Sequence, residues 1–291
     1  IGLVNFDEPA KRLFHQGMLL GPDGEKMSKS KGNVVLPDTV SEEYGIDTAR
    51  TFIVSSARPD RDIQWDPKDI KGTLRFIKSI FNFANNHDFE KGKSTPLTGH
   101  KINKAVKEVT SDIYNFDYNL AIIKLRKIFE RFSQEEGDIS KEDFEKFLKM
   151  LAPFTPHIAE ELWEKIGNNS SGKNFISLER WPEADETKID ESLEKQEQAV
   201  EKVVDDINNI AKLITEKQGE DKKPSKAIIY TIPPEKETYN SAINQIQKKT
   251  GLKEVEVYAI NDEEVKSNPE KVDPEGKAKK AKPGKPAIYL E

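Results

Sequence analysis

Apolar residues recur at helical spacing through the middle of the chain. Leu74, Ile77, Ile80 and Phe81 form one set, Val106, Val109, Ile113 and Phe116 a second, and Leu120, Ile123, Ile128 and Phe129 a third. Returns at three and four residues mark one buried face of a helix, so a helix bundle is expected over residues 73–166. Upstream, short apolar runs alternate with glycine turns, and a helix is expected over 42–55. Leu19-Leu20 reads as the end of a strand entering a tight turn, Gly21-Pro22-Asp23-Gly24, where glycine supplies backbone freedom.

Downstream of residue 190 the pattern resets. Val200, Val203, Val204, Ile207, Ile210 and Ile214 are spaced for one buried stripe on a long charged helix that ends near Gln218-Gly219. Residues 227–232 read as a strand, 235–249 as a helix and 255–260 as a second, alternating strand. Two such strands lying parallel would enclose a right-handed crossover. The tail, 271–291, places Lys277, Lys279, Lys280, Lys282 and Lys285 among prolines and glycines and is expected to be extended or weakly ordered. Its plain reading is a solvated linker closed by an edge strand at 287–290.

Composition narrows the classes. A chain of 291 residues allows two or three domains, each with its own core. Basic residues number 46 against 52 acidic, a net charge of −6, so any nucleic-acid contact must come from local lysines. No apolar run approaches the roughly twenty residues needed to span a bilayer, and no secretory signal opens the chain. A membrane and DNA are not expected among the partners. The absence of cysteine excludes a thiolate zinc knuckle and fits a reducing, cytoplasmic setting; no metal ligand set is expected.

The candidate chemistry lies in Lys26-Met27-Ser28-Lys29-Ser30, flanked by Gly24 and by Lys31-Gly32-Asn33. A given five-residue word arises by chance in a chain of this size roughly once in ten thousand, so the run outweighs most short motifs. Adenylyl and phosphoryl transfer build negative charge on phosphate oxygens, and compact cations on a mobile loop meet that charge as it develops. Lys29 and Lys26 supply those cations, while Ser28, Ser30 and the loop amides can donate to phosphate or ribose. A lysine-rich solvated turn is the plain alternative.

Lys26 to Ser30 resembles the second nucleotide motif of class I aminoacyl-tRNA synthetases. Asn33-Val34-Val35, Pro37-Asp38 and Tyr44-Gly45-Ile46-Asp47-Thr48-Ala49-Arg50 are similar to the segment that follows it in the leucyl, isoleucyl, valyl and methionyl branch. Ser56-Ala57-Arg58-Pro59 and Asp62-Ile63-Gln64-Trp65-Asp66 are most similar to leucyl enzymes. The final run, Lys282 to Glu291, resembles the end of their archaeal type. The resemblance implies ATP as substrate with Mg2+ in the intact enzyme, and leucine and tRNA(Leu) as partners. It also implies Lys29 as the lysine that stabilises the transition state, Lys26 at the phosphates, and Met27 with Ser28 beside adenine and ribose. The closest rivals are valyl, isoleucyl or methionyl relatives; a non-catalytic tRNA-binding or scaffold protein is the rival from another class.

Phe116-Asp117-Tyr118-Asn119 and the run from Leu151 through His157 to Trp163 resemble the anticodon-binding bundle of the same branch, and Trp181-Pro182 its close. Asn115, Asn119 and His157 are expected to cap helices or satisfy buried backbone. Phe116, Phe154 and Trp163 are expected in the core. By resemblance, the five tail lysines, Tyr289 and Glu291 are candidate tRNA contacts through phosphates, stacking and a cytosine amino group. Residue 1 is Ile, and none of His15, His87, His100 or His157 sits in the family's His-x-Gly-His pattern. A C-terminal fragment, inactive alone, is therefore expected.

The expected fold is mainly α with α/β parts. Residues 1–71 form the end of a Rossmann-like catalytic domain with the lysine loop and stem helices. Residues 72–190 form an anticodon-binding-type helix bundle, and 191–291 a small C-terminal α/β domain with a basic tail.

Overall fold

The computed structural model describes residues 2–134, 139–168, 174–218 and 224–291. The chain divides into two compact units, Ile1–Ile189 and Asp190–Glu291. Among the described residues both are mainly helical, and each holds one small sheet.

In the first unit, β1 (Leu19–Leu20) pairs in parallel with β2 (Ile63–Gln64), Leu19 opposite Ile63. Between them lie the lysine loop, α1 (Pro37–Tyr44) and α2 (Ile46–Ser56). The single helix expected over 42–55 is thus two helices. Gly45, at φ 84° and ψ 147°, takes a conformation that no helix interior accommodates, and its N–H closes α1 on the Ser41 carbonyl. Val40, Ala49, Phe52, Trp65 and Ile70 form a local core beneath these helices, with Phe52 edge-on to Trp65 at 5.3 Å.

The bundle comprises α3 (Ile70–Asn86), α4 (Pro96–Tyr114), α5 (Tyr118–Gln134), α6 (Lys141–Leu151) and α7 (Pro156–Lys165). Its starts are written in the sequence. Thr95 caps α4 by accepting from the Thr98 N–H, Ser140 caps α6 through the Asp143 N–H, and Pro96 and Pro156 open α4 and α7. The core is rich in phenylalanine: Phe129, Phe132, Phe144 and Phe147 are all buried.

The expected stripe on α5 requires correction. Leu120 and Ile123 are exposed, whereas Ala121, Ile122, Leu125, Ile128, Phe129 and Phe132 are buried. Ile128 follows Ile123 by five positions, which turns them about 140° apart on a helix, so they cannot share a face. Phe154 and Trp163 are core residues as expected, but Phe116 is half-buried and sits in the turn after α4 at φ 62°.

Two of the three candidate polar groups have structural roles. Asn115 caps α4, and His157 Nδ1 lies 2.8 Å from Asp47 Oδ1 while Asp47 Oδ2 accepts the Ile158 N–H at the start of α7. Asn119 Oδ1 is buried without a hydrogen-bond partner among the described residues.

The second unit opens with α8 (Glu191–Gln218), whose Val200, Val203, Val204 and Ile207 are buried as the stripe predicts; Gly219, the expected stop, lies outside the described residues. Its sheet has the order β4-β3-β5. The central strand β3 (Lys226–Thr231) runs parallel to β4 (Glu254–Ala259) and antiparallel to β5 (Ala287–Leu290). Ala227 and Ile229 face the core containing the α8 stripe, while Ile228 and Tyr230 face a second cluster with Val265, Val272, Ala278 and Ala281. Both faces of β3 are therefore buried, as its unbroken apolar run requires.

Two expectations fail here. The helix expected over 235–249 is a 3-10 turn (Pro233–Glu235), then α9 (Lys236–Asn240), then α10 (Ile243–Thr250), with the break at Ser241-Ala242. The tail is folded rather than extended. After α11 (Glu263–Ser267) and α12 (Pro269–Val272), the Asp273 carboxylate accepts from the Lys277 and Ala278 N–H groups and starts a 3-10 turn (Ala278–Lys280). Lys282 and Lys285 then exchange backbone hydrogen bonds around Gly284, and β5 joins the sheet. Small apolar residues between the lysines make this possible, because Ala278, Ala281 and Ile288 are buried while the charges stay in water.

Candidate functional site

The lysine loop springs from β1. The Trp65 N–H donates to the Leu20 carbonyl, Gly21 and Glu25 close the turn at 2.7 Å, and Gln64 Nε2 donates to the Pro22 carbonyl. Gly24 has φ 76° there. Lys29–Lys31 form one 3-10 turn that ends at Gly32, φ 67°.

Asn33 braces this loop from inside. Its Oδ1 accepts the Ser28 N–H at 2.8 Å, and its Nδ2 donates to both Asp23 carboxylate oxygens at 3.1 and 3.0 Å and to the Lys26 carbonyl at 3.4 Å. The Asn33 hydrogen bond, then the Glu25 N–H, hold the Asp23 carboxyl below its ordinary pKa, so it stays ionised. Lys31 pairs with Glu25 at 2.9 Å on the surface. Ser28 and Ser30 hydroxyls meet at 2.8 Å.

Lys26 and Lys29 are exposed, and neither ammonium has a hydrogen-bond or ion-pair partner among the described residues. Met27 points the other way: it is half-buried against the cluster of Val40, Phe52 and Trp65. The loop therefore offers two unneutralised cations on a backbone pinned by one thioether and one amide. Residue type alone does not single out Asn33 and Asp23. Their signal is positional, an Asn directly after the Gly32 turn, at a distance that returns it to Ser28.

The second candidate set lies on the tail. Lys279, Lys280, Lys282 and Lys285 are exposed, whereas Lys277 is engaged. Its ammonium lies 3.0 Å from Glu275 and 5.2 Å from the centre of the Tyr289 ring. Tyr289 sits on β5 opposite Ile228, half-buried. The Glu291 carbonyl accepts from the Ser225 and Lys226 N–H groups, so its backbone closes the sheet. The two candidate sets fall in different units.

Comparisons with known proteins match two stretches of the chain. Residues 3–66 match the tRNA synthetases class I (I, L, M and V) family, and 99–229 match the anticodon-binding domain of tRNA ligase. The chain is 40% identical over 190 residues to the leucine--tRNA ligase of Mycoplasma mycoides subsp. mycoides SC, covering 65% of this chain and 23% of that one. The leucine--tRNA ligase of Bdellovibrio bacteriovorus gives 40% identity, with 64% and 23% covered; that of Thermotoga petrophila gives 37%, with 64% and 24% covered. Among solved structures, the ternary complex of Agrobacterium radiobacter K84 agnB2 LeuRS-tRNA-LeuAMS shares the fold, at a TM-score of 0.58 and 19% identity over 89% of this chain and 34% of that one.

Both matched stretches are similar to parts of class I tRNA synthetases. Within that class the chain is similar to leucyl-tRNA synthetases, and it spans about a quarter of the length of the curated relatives it matches.

Proposed function

We propose that this chain is the C-terminal part of an enzyme that activates leucine with ATP and transfers the leucyl group to tRNA(Leu). The observation that carries the reading is the pair of unpartnered ammonium groups, Lys26 and Lys29, on a braced loop in a stretch similar to class I tRNA synthetases. In the first step a leucine carboxylate oxygen attacks the α-phosphate and pyrophosphate leaves. In the second, a terminal ribose hydroxyl of tRNA attacks the leucyl carbonyl and AMP leaves. Lys29 meets the charge that develops on the phosphate oxygens, and Lys26 holds the departing pyrophosphate. Ser28, Ser30 and the loop amides donate to the nucleotide, while Met27 anchors the loop to the stem.

Magnesium accompanies ATP as part of the substrate. The loop does not fit it: the only loop carboxylates, Asp23 and Glu25, are taken by Asn33 and Lys31.

Residues 1–71 serve ATP and the stem, 72–190 the body of tRNA, and 191–291 a distal part of it through Lys279, Lys280, Lys282 and Lys285. Tyr289 and Glu291 contribute there mainly by closing the sheet. The archaeal type rests on the final run from Lys282 to Glu291 alone, and the relatives compared above are bacterial. The work is that of a cytoplasmic translation enzyme; no described helix is long and apolar enough to cross a membrane.

Two measurements test the reading. This chain should bind leucine tRNA transcripts more tightly than valine or methionine transcripts at both low and moderate salt. The full-length enzyme should exchange pyrophosphate into ATP with leucine alone. Binding without exchange in the full-length protein would favour a non-catalytic tRNA binder, and exchange with valine, isoleucine or methionine would move it within the branch.

A further inference from the structure

We infer that Phe116 is a positioning residue, through which the corner of the bundle holds the base of the lysine loop. Phe116 is the one residue other than glycine with positive φ among the described residues. Its backbone completes a helix stop in which the Phe116 N–H returns to the Ile113 carbonyl and the Asp117 N–H to the Asp112 carbonyl. That motif is normally completed by glycine, because a Cβ is disfavoured in the left-handed region. A bulky ring here works against the backbone, and strain of this kind persists where the side chain has a task.

The ring's contacts name the task. Phe116 lies 4.8 Å from Phe14 and 5.6 Å from the Arg12 guanidinium, both in the segment that leads into β1. The next residue, Asp117, pairs at 3.3 Å with Arg58, in the segment that leads into β2. These two leads are pressed together. The Gly17 N–H donates to the Pro59 carbonyl, the Met18 N–H donates to Asp62 Oδ1, and a Cβ on Gly17 would stand 2.1 Å from the Arg61 carbonyl oxygen. One turn of the bundle thus grips both strands of the sheet from which Lys26 and Lys29 project. The task in catalysis rests on the synthetase reading, whereas the grip itself does not.

Amide hydrogen exchange on this chain decides the grip. Phe116→Gly relieves the backbone, so protection within α4 and α5 should hold or rise. Exchange at Gly17, Met18, Ile63 and Trp65 should quicken by roughly tenfold as the sheet opens locally. Phe116→Tyr keeps the ring and should restore slow exchange. Phe14→Ala removes the contact from the other side without touching the corner, so a misfolded glycine variant would leave the test intact. Unchanged exchange at β1 and β2 in both Phe116→Gly and Phe14→Ala would overturn the inference. In the full-length enzyme Phe116→Gly should lower kcat for pyrophosphate exchange more than it raises KM for leucine. Faster exchange of amides with no such loss would keep the grip and remove its catalytic role, and an enzyme silent in its native form would refute the synthetase reading alone.

Discussion

Asn33 Nδ2 reaches both oxygens of the Asp23 carboxylate, at 3.1 and 3.0 Å, and so ties the end of the lysine loop to its first turn. The pair carries a pH signature. Asp23 has a depressed folded pKa, so its contribution is present above the ordinary carboxylate pKa of 3.8 and is lost as pH falls through the lower folded value. The Asn33 side-chain amide resonances should therefore hold steady down to the ordinary carboxylate range and shift only below it. A shift centred at or above the ordinary value would show that the tie is absent in solution.

The same tie predicts a rescue. Asn33→Asp places two carboxylates together and should free the loop, while Asn33→Asp with Asp23→Asn restores a donor and an acceptor in exchanged places. Loop amide exchange should rise in the single variant and return most of the way in the double. Equal exchange in both would mean that the Ser28 contact alone holds the loop.

The bundle should be far less forgiving. Phe147 is fully buried and touches Phe129, Phe132 and Phe144 at ring separations of 6.1, 5.4 and 5.9 Å. Phe147→Ala should cost about 3–5 kcal/mol through reduced burial and the cavity left behind. All three tryptophans, Trp65, Trp163 and Trp181, lie in this unit, so their fluorescence follows its denaturant unfolding alone. A destabilisation below about 1 kcal/mol would show a core that collapses around the gap.

The bundle was legible in the sequence because its apolar positions recur at helical spacing: Ile77, Ile80, Val106 and Val109 are buried as that spacing requires. The lysine loop was legible because five adjacent residues carry its chemistry. What failed depended on phase or on distant partners. On α5 the buried face is set by α4 and α6, and an apolar Leu120 or Ile123 gives no sign of facing water. In the tail, the lysines masked Ala278 and Ala281, whose burial depends on a sheet face built by β3. The left-handed backbone of Phe116 could not be read, since such a conformation leaves no mark in composition.

The second unit should melt in alkali. Burial pushes the Tyr239 hydroxyl up to about 12, and burial aided by the Glu256 charge does the same for Tyr258. Tyr230, buried and donating to the Val272 carbonyl at 2.5 Å, is raised too. The unfolded chain loses these protons near pH 10, the folded unit only near 12. Their stabilisation is therefore full below 10 and disappears as pH rises toward 12. Lys226, raised chiefly by its hydrogen bond to Glu256, acts in the same direction. Tyrosinate absorbance should rise together with loss of helical circular dichroism in that window, and Tyr239→Phe should move the transition upward. Ionisation of Tyr230, Tyr239 and Tyr258 near 10 with the fold intact would contradict the burial.

Deleting everything after Val272 would be a poor test of the tail as a nucleic-acid contact, because it removes β5 and strips Ala278, Ala281 and Tyr289 from one face of the sheet. Neutralising charge in place is cleaner. Lys279, Lys280, Lys282 and Lys285 changed together to Gln should leave the circular dichroism unchanged, since all four side chains are exposed. For every phosphate that no longer meets an ammonium, the slope of log affinity for tRNA against log salt should become shallower by about one unit. Lys277→Gln is the control. Its ammonium is committed to Glu275 and the Tyr289 ring, so it should lower the stability of the unit and leave the slope where it was. If the fourfold variant binds with the native slope, the lysines keep the tail's outer face in water and tRNA is held elsewhere on the chain.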